Sequence, residues 1–348
     1  MKLTDFSFDL PKDLIATKPS NPRDTSRLLH HISPNRFEDL QFKNIVNLLN
    51  KGDVLVVNDT KVVPSEIIGV KANNLGERSK IMFTFIENLK DGIWSCYVRP
   101  GKKIQENDIV FIYGVECRVI KKSERIVLVD FDSKNYEFQK NLQKYGNLML
   151  PPYITSKRKY KKSDKEDYQT VYSKNLGSIA APTAGLHFTE DLLGEIKSKQ
   201  VNIKNVTLNV GPGTFSKLEN EKVEENLLFK EKCFLSKDTS KFLNSVYKDP
   251  KRKIIAVGTT TLRVLETSFI NNNTFEPIDT FTDIFIYPGK KIKSINSLIT
   301  NFHLPQSSLF ILICAFIGRA NAVRMYHHAI KKRYKFYSYG DSCFLNNG

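Results

Sequence analysis

What this sequence is short of narrows its class before any motif is read. Cysteine is scarce, with five residues at positions 96, 117, 233, 314 and 343, never spaced as C-x-x-C. Scattered single thiols argue against a disulfide scaffold or a zinc site and fit a reducing compartment. Long apolar runs are missing: LFILICAFI (309–317) has nine residues, whereas a membrane span needs about 20. It predicts a buried helix. The opening MKLTDFSFDLPKDL lacks the apolar core of a secretory signal. A cytoplasmic protein is expected. Also absent are G-x-x-x-x-G-K-[ST], a G-x-G-x-x-G after a strand, H-E-x-x-H and G-x-S-x-G. Nucleotide hydrolysis, dinucleotide redox chemistry and zinc proteolysis therefore have no support. Acidic residues fall short of basic ones, 37 against 53, for a formal net charge of +16. A surface that basic attracts RNA, DNA or anionic membranes, unless its lysines are only a solvated face.

What is present falls into two textures. The 348 residues suffice for two domains, and 41% apolar content suffices for packed cores. GDVLVVND (52–59) reads as a buried strand. Short strands rich in β-branched and aromatic residues then follow: KIMFTFI (80–86), IWSCYV (93–98), DIVFI (108–112), ECRVI (116–120) and RIVLVDF (125–131). Turn pairs such as Pro100-Gly101 and Tyr113-Gly114 separate them, and no helical run intervenes. That spacing predicts a small antiparallel barrel or sandwich. Past residue 150 the pattern alternates. A helix follows Thr189, strands are expected at 201–203 and 206–210, and 253–269 reads strand, Gly-Thr turn, helix. A buried helix (307–318) and an amphipathic one (320–334) close the pattern. The expected fold is an α/β main domain, a mixed sheet with helices, built from 1–64 and 150–348. A small antiparallel β-barrel is inserted at 65–149.

Four turns could carry chemistry. APTAGLHF (181–188) places His187 on a strand-to-helix corner between Leu186 and Phe188. NVGPGTF (209–215) puts Gly211 and Gly213 around a proline, ahead of Thr214 and Phe215. In AVGTTTLRVLE (256–266), Gly258 permits close backbone approach, and Thr259 and Thr260 open a helix. Free N–H groups there suit a carboxylate or phosphate, and Arg263 adds charge; a plain helix cap is the alternative. LITNFHLPQSSL (298–309) sets Asn301 and His303 at a strand end. A lone histidine on such a corner is more often structural. Two in like settings favour a shared cleft. KRKYKK (157–162) clusters cations around Tyr160, for phosphate contact and base stacking or merely as a solvated loop. YKFYSYGDSCF (334–344) reads either as an edge strand with a turn or as aromatic stacking beside Asp341.

Taken in order, DFSFDLP, RDTSRLL, GDVLVVNDTKVVP, LPPYI, YQTVYS, GSIAAPTAGLHF, VTLNVGPGTF, AVGTTTLRVLE, IYPG, LITNFHLPQSSL and FYSYGD resemble one family almost end to end. It is the S-adenosylmethionine:tRNA ribosyltransferase-isomerases of queuosine biosynthesis. The resemblance implies transfer and isomerisation of the ribosyl group of S-adenosylmethionine onto 7-aminomethyl-7-deazaguanine at the wobble position of tRNAs with GUN anticodons. Epoxyqueuosine-tRNA, adenine and methionine result. It implies an α/β fold with an inserted barrel and no metal or separate cofactor; with no heptad seam in the chain, a monomer is expected.

On that basis the four turns are expected to meet in one cleft, with Thr183, Gly185, Gly211, Gly213, Thr214, Gly258 and Asn301 against the substrate. Thr259, Thr260 and Arg263 would hold the methionine carboxylate or a tRNA phosphate. His187 and His303 would be the acid–base pair. Phe188, Phe215 and Tyr172 would wall the sulfonium or the flipped base, and Asp341 would accept the aminomethyl cation. Lys157, Arg158, Lys159 and Tyr160 would contact tRNA. The chain departs from the family at Asn209, Asn226 and Phe229, where histidines are common, and keeps Glu231. Two rivals follow: a tRNA-binding homologue with weakened catalysis, and another S-adenosylmethionine-dependent tRNA modifier.

Overall fold

A computed structural model of the chain describes residues 1–347 apart from 73–77, 91, 124–125, 216 and 271–272, and gives only the backbone of Ala72, Pro212, Phe215 and Ile270. The chain forms two compact units. The first comprises Met1–Lys61, Pro151–Lys159 and Asp167–Gly348; the second comprises Val62–Leu150 and Tyr160–Glu166. Tyr160–Glu166 thus groups with the barrel unit, although the sequence reading placed it in the α/β domain.

The first unit is organised by a nine-stranded mixed sheet, ordered Ile278–Thr282, Glu231–Leu235, Asn202–Leu208, Val54–Asn58, Ile254–Val257, Ser297–Asn301, Ser342–Asn346, Arg27–Ser33 and Arg36–Gln41. Its centre, from 202–208 to 297–301, is parallel. The strand VLVVN shows why such runs lack polar alternation. Val54 and Val56 pack into one apolar core and Leu55 and Val57 into the other, on opposite faces. Ile254/Ala256 and Ile255/Val257 divide in the same way. Both faces are covered, so Val54–Val57 and Ile254–Val257 are apolar throughout. Helices Ser308–Ile317 and Arg319–Lys331 pack in the first core, the former with seven of its ten residues buried. Among the described residues no single helix is long and apolar enough to cross a membrane.

Several local expectations change. The strands expected at 201–203 and 206–210 are one strand, Asn202–Leu208. The apolar residues 179–181 are not a strand, and Thr183–His187 coils into a 3-10 turn. Ser342–Asn346 is no edge strand: it lies between 297–301 and 27–33, bonded to both. Its neighbours supply the pairing that its own sequence cannot announce.

The second unit contains a closed antiparallel barrel, in the order Val127–Asp130, Ile93–Arg99, Arg78–Lys90, Glu66–Ala72, Ile109–Ile112 and Val115–Lys122. Closure leaves no open edge. Helix Asn135–Tyr145, whose apolar Phe138 and Leu142 lie one turn apart on one face, packs Phe138 onto Phe131 with ring centroids 3.7 Å apart.

Candidate active site

In the first unit the parallel strands 202–208, 254–257 and 297–301 all end on one side, and their following turns enclose an open cleft. Crevices outside the carboxyl ends of parallel strands are where such sheets hold ligands. All four sequence-predicted turns contribute: Thr183 and Ala184; Thr214; Gly258, Thr259, Thr260 and Arg263; and Thr300, Asn301 and His303.

The 254–257 strand reaches the cleft through Gly258, whose φ of +91° favours glycine. Helix Thr259–Ser268 starts there, so the free amides of its first turn open on the cleft. Thr260 Oγ1 accepts from Asn58 Nδ2 at 3.2 Å, which ties the turn to the neighbouring strand. The 183–187 turn is seated by Gly185; a Cβ there would lie 1.9 Å from the Tyr172 hydroxyl.

The two histidines differ in placement. His303 lines the cleft, with Nε2 3.0 Å from Thr300 Oγ1 and its backbone N–H donated to the Tyr326 hydroxyl. Burial drives its pKa down to about 3, so it is neutral. His187 lies outside that lining. Its Nδ1 is 2.7 Å from Ser26 Oγ, and its Nε2 is 3.3 Å from Asn301 Nδ2. Because Asn301 Nδ2 can only donate, Nε2 accepts and Nδ1 carries the proton. The ring stacks on Phe42 at 4.9 Å. Burial, with Arg23 nearby, lowers its pKa to about 4. His187 therefore reaches the cleft through Asn301, whose Nδ2 also donates to Tyr337 O at 3.1 Å, and itself lines a small neighbouring cavity that shares Ser338 with the cleft.

Other predicted site residues are placed elsewhere or are occupied. Arg263 lines the cleft, but its Nη1 is held by Glu231, both side chains buried; the pair is self-neutralising rather than free for an anion. Asp341 is buried away from the cleft lining and accepts the backbone N–H groups of Arg27 at 2.8 Å and Lys335 at 2.7 Å. Burial still raises its pKa. Phe188 is fully buried in the second apolar core with Tyr172 packed against it, and neither lines the cleft. Gly211 donates its N–H to Glu231 Oε1 at 2.8 Å, and Gly213 lies against the Phe229 ring. The side chain of Phe215 lies outside the described residues. Lys157 and Lys159 are exposed, Arg158 Nε donates to Thr17 O at 3.0 Å, and Tyr160 is half-buried in the second unit.

Sequence reasoning did not single out Tyr168, Tyr337, Ser338 or Thr300, which line the cleft. Tyr168 and Tyr337 stood in the YQTVYS and FYSYGD segments, which is the signal that could have found them. Tyr337 meets Tyr153 edge-on at 4.2 Å, and Tyr168 meets Tyr339 at 5.9 Å. Among the described residues, Arg263 is the one charged side chain in the lining. The rest is an apolar wall of Ala180, Ala181, Pro182, Ala184, Val210 and Leu309, with hydroxyls, one amide, a neutral imidazole, two aromatic rings and a helix N-terminus. Such a surface suits a small organic group that carries both a carboxylate and a diffuse cation. Among the described residues no group of three or more His, Cys, Asp or Glu is placed to hold a metal ion.

Fold and cleft together define an α/β protein with a hydrogen-bonding pocket at the carboxyl edge of its parallel strands. Comparison with known proteins makes this specific. A family model described as queuosine biosynthesis protein matches residues 3–345. S-adenosylmethionine:tRNA ribosyltransferase-isomerase of Acetivibrio thermocellus is 42% identical, over 99% of this chain and 100% of that one. The protein of the same name from Phenylobacterium zucineum is 40% identical, over 99% of each. A crystal structure of S-adenosylmethionine tRNA ribosyltransferase from Thermotoga maritima is 30% identical, covers 98% of this chain and 99% of that one, and superposes with a TM-score of 0.53. The chain belongs to the queuosine biosynthesis protein family.

Proposed function

We propose that the cleft transfers and isomerises the ribosyl group of S-adenosylmethionine onto 7-aminomethyl-7-deazaguanine at the wobble position of tRNA. Membership of the family makes this chain an S-adenosylmethionine:tRNA ribosyltransferase-isomerase, an enzyme of tRNA queuosine modification. The observation that carries the assignment to this cleft is convergence. Turns at 183–184, 214, 258–263 and 300–303, far apart in sequence, line one space.

The roles follow from the chemistry of each wall. The methionine carboxylate binds the open amides at Thr259 and Thr260. The sulfonium lies against Tyr168 or Tyr337, whose ring faces attract a cation. The sulfonium acidifies the ribose 5′ protons, and His303, neutral and in the lining, takes one. A bound carboxylate beside it would favour the imidazolium and so raise its basicity. Hydrogen bonding to the purine from the hydroxyl rim assists loss of adenine. The neutral aminomethyl group is the nucleophile. His187 positions Asn301 from behind the cleft. Lys157, Arg158, Lys159 and Tyr160 contact tRNA carrying a GUN anticodon. The enzyme works as a cytoplasmic monomer and uses no cofactor beyond S-adenosylmethionine as substrate.

The test is incubation with S-adenosylmethionine and tRNA bearing the aminomethyl base, followed by adenine release and tRNA mass. Adenine with an added ribosyl unit is expected. A methyl-sized increment would instead mark a methyltransferase. Binding without change would mark a weakened homologue, a reading favoured by Asn209, Asn226 and Phe229. Two of these are already structurally employed: Asn226 Oδ1 accepts from Glu219 and Asn220 N–H at 3.0 Å each, and Asn209 Oδ1 accepts from Thr60 Oγ1 at 2.9 Å.

A further inference from the structure

Beside the cleft lies a second open one, and the two share Thr214, Arg263 and Leu309. Its walls are of another chemistry. Leu227, Leu228, Phe229, Ile284 and Phe285 line it. Leu227 is 91% exposed and Phe229 52% exposed. Large apolar side chains left facing water around a pocket mark a surface that a partner covers. At its floor is one carboxylate, Glu231, which is 7% exposed. Its Oε1 accepts Gly211 N–H at 2.8 Å, and Oε2 is held by Arg263 Nη1. Each oxygen keeps a second lone pair. The Phe229 ring is fixed from one side: a Cβ on Gly213 would come within 2.2 Å of it, so only glycine lets the 211–214 turn lie there.

We propose that this second cleft receives the everted wobble base, with Glu231 accepting from the base's N1–H and 2-amino group and Phe229 providing its stacking face, while the first cleft holds the sulfonium nucleoside. The proposal rests on the enzymatic reading above. A deazaguanine presents two adjacent N–H donors on one edge, which a carboxylate anchored at its other lone pairs can accept. A base taken out of its stack gains back the lost stacking only against an aromatic or apolar wall. The shared residues Thr214, Arg263 and Leu309 place a base in one cleft directly beside a nucleoside in the other, as a transfer between them requires.

Steady-state kinetics of the full-length chain, with S-adenosylmethionine and the aminomethyl-bearing tRNA varied in turn, tests this. Phe229→Ala is expected to raise KM for tRNA about tenfold, with KM for S-adenosylmethionine within about twofold, and Phe229→Tyr to restore it. Glu231→Gln is expected to raise KM for tRNA by about 10–100-fold. Should the buried Glu231 variant fail to fold, the half-exposed Phe229 pair carries the test alone. An unchanged tRNA KM in Phe229→Ala, or a rise confined to S-adenosylmethionine, overturns the assignment. If the parent itself shows no turnover, the enzymatic reading fails, and the same variants are compared by equilibrium binding of that tRNA. Weakening by about tenfold in Phe229→Ala then still supports the base cleft, and equal binding overturns it.

Discussion

Two corners of the first unit look alike in sequence and differ in space. TAGLHF and TNFHLP each carry a histidine beside a phenylalanine at the end of an apolar stretch. His303 borders the cleft with one ring nitrogen on a local hydroxyl. His187 is enclosed behind it, with both ring nitrogens engaged by Ser26 and Asn301 and a face covered by Phe42. Burial makes both neutral, yet only His303 lines the main cleft. The difference teaches that a histidine's role is decided by what other segments lay against it, here residues 26, 42 and 301, none of them near 187 in sequence.

That contrast can be broken by substitution. The largest effect is expected for His303→Ala, a fall in kcat of about 10²–10⁴-fold with tRNA binding retained. Equal turnover by parent and variant would remove His303 from the chemistry. His187→Ala is expected to act first on the fold, costing about 2–3 kcal/mol in denaturant unfolding with a smaller loss of kcat through Asn301. A rate loss as large as that of His303→Ala, with stability intact, would make the two corners equivalent after all.

Proton linkage sharpens the comparison further. Both histidines have folded pKa values below the ordinary 6.5, about 4 for His187 and about 3 for His303. Between those values and 6.5 the unfolded chain binds protons that the folded chain refuses. Stability from each is therefore complete above about pH 6.5 and falls as pH drops, by about 1.4 kcal/mol per unit. Unfolding measured at pH 7.5 and 5.0 should show this loss, and His187→Ala should reduce it. A pH-independent stability over that range would show that the rings are not held neutral. A smaller effect, about 1 kcal/mol, is expected for Asp341→Asn, which weakens acceptance from the Arg27 and Lys335 amides; KM values should stay near those of the parent. The smallest is for Lys157→Ala with Lys159→Ala: weaker tRNA binding by a few fold and a shallower salt dependence.

Legibility in the sequence followed the range of the forces involved. Gly258 and the three threonines announce their turn, because a positive φ and a helix start are local requirements. Five of the six barrel strands announce themselves by period and composition; Glu66–Ala72 does not. The Arg263–Glu231 pair spans 32 residues, so nothing near Arg263 warned that its charge was taken. The 27–33 and 36–41 strands went unread because RLLHHIS and RFEDLQ mix charges into a region whose partner strand, 342–346, lies at the other end of the chain. Phe188 and Tyr172 look like ligand walls in sequence; Phe188 lies in the core and Tyr172 is half-buried against it, and neither lines the cleft, since apolar side chains beside a site residue satisfy either use.

The most direct measurement is a crystal structure of the chain with S-adenosylhomocysteine, which lacks the sulfonium charge and cannot react. The account predicts its carboxylate on the amides of Thr259 and Thr260, its ribose beside His303 and Asn301, and the pocket around Phe229 and Glu231 left open. Ligand density bound elsewhere, or its purine stacked on Phe229, would contradict it.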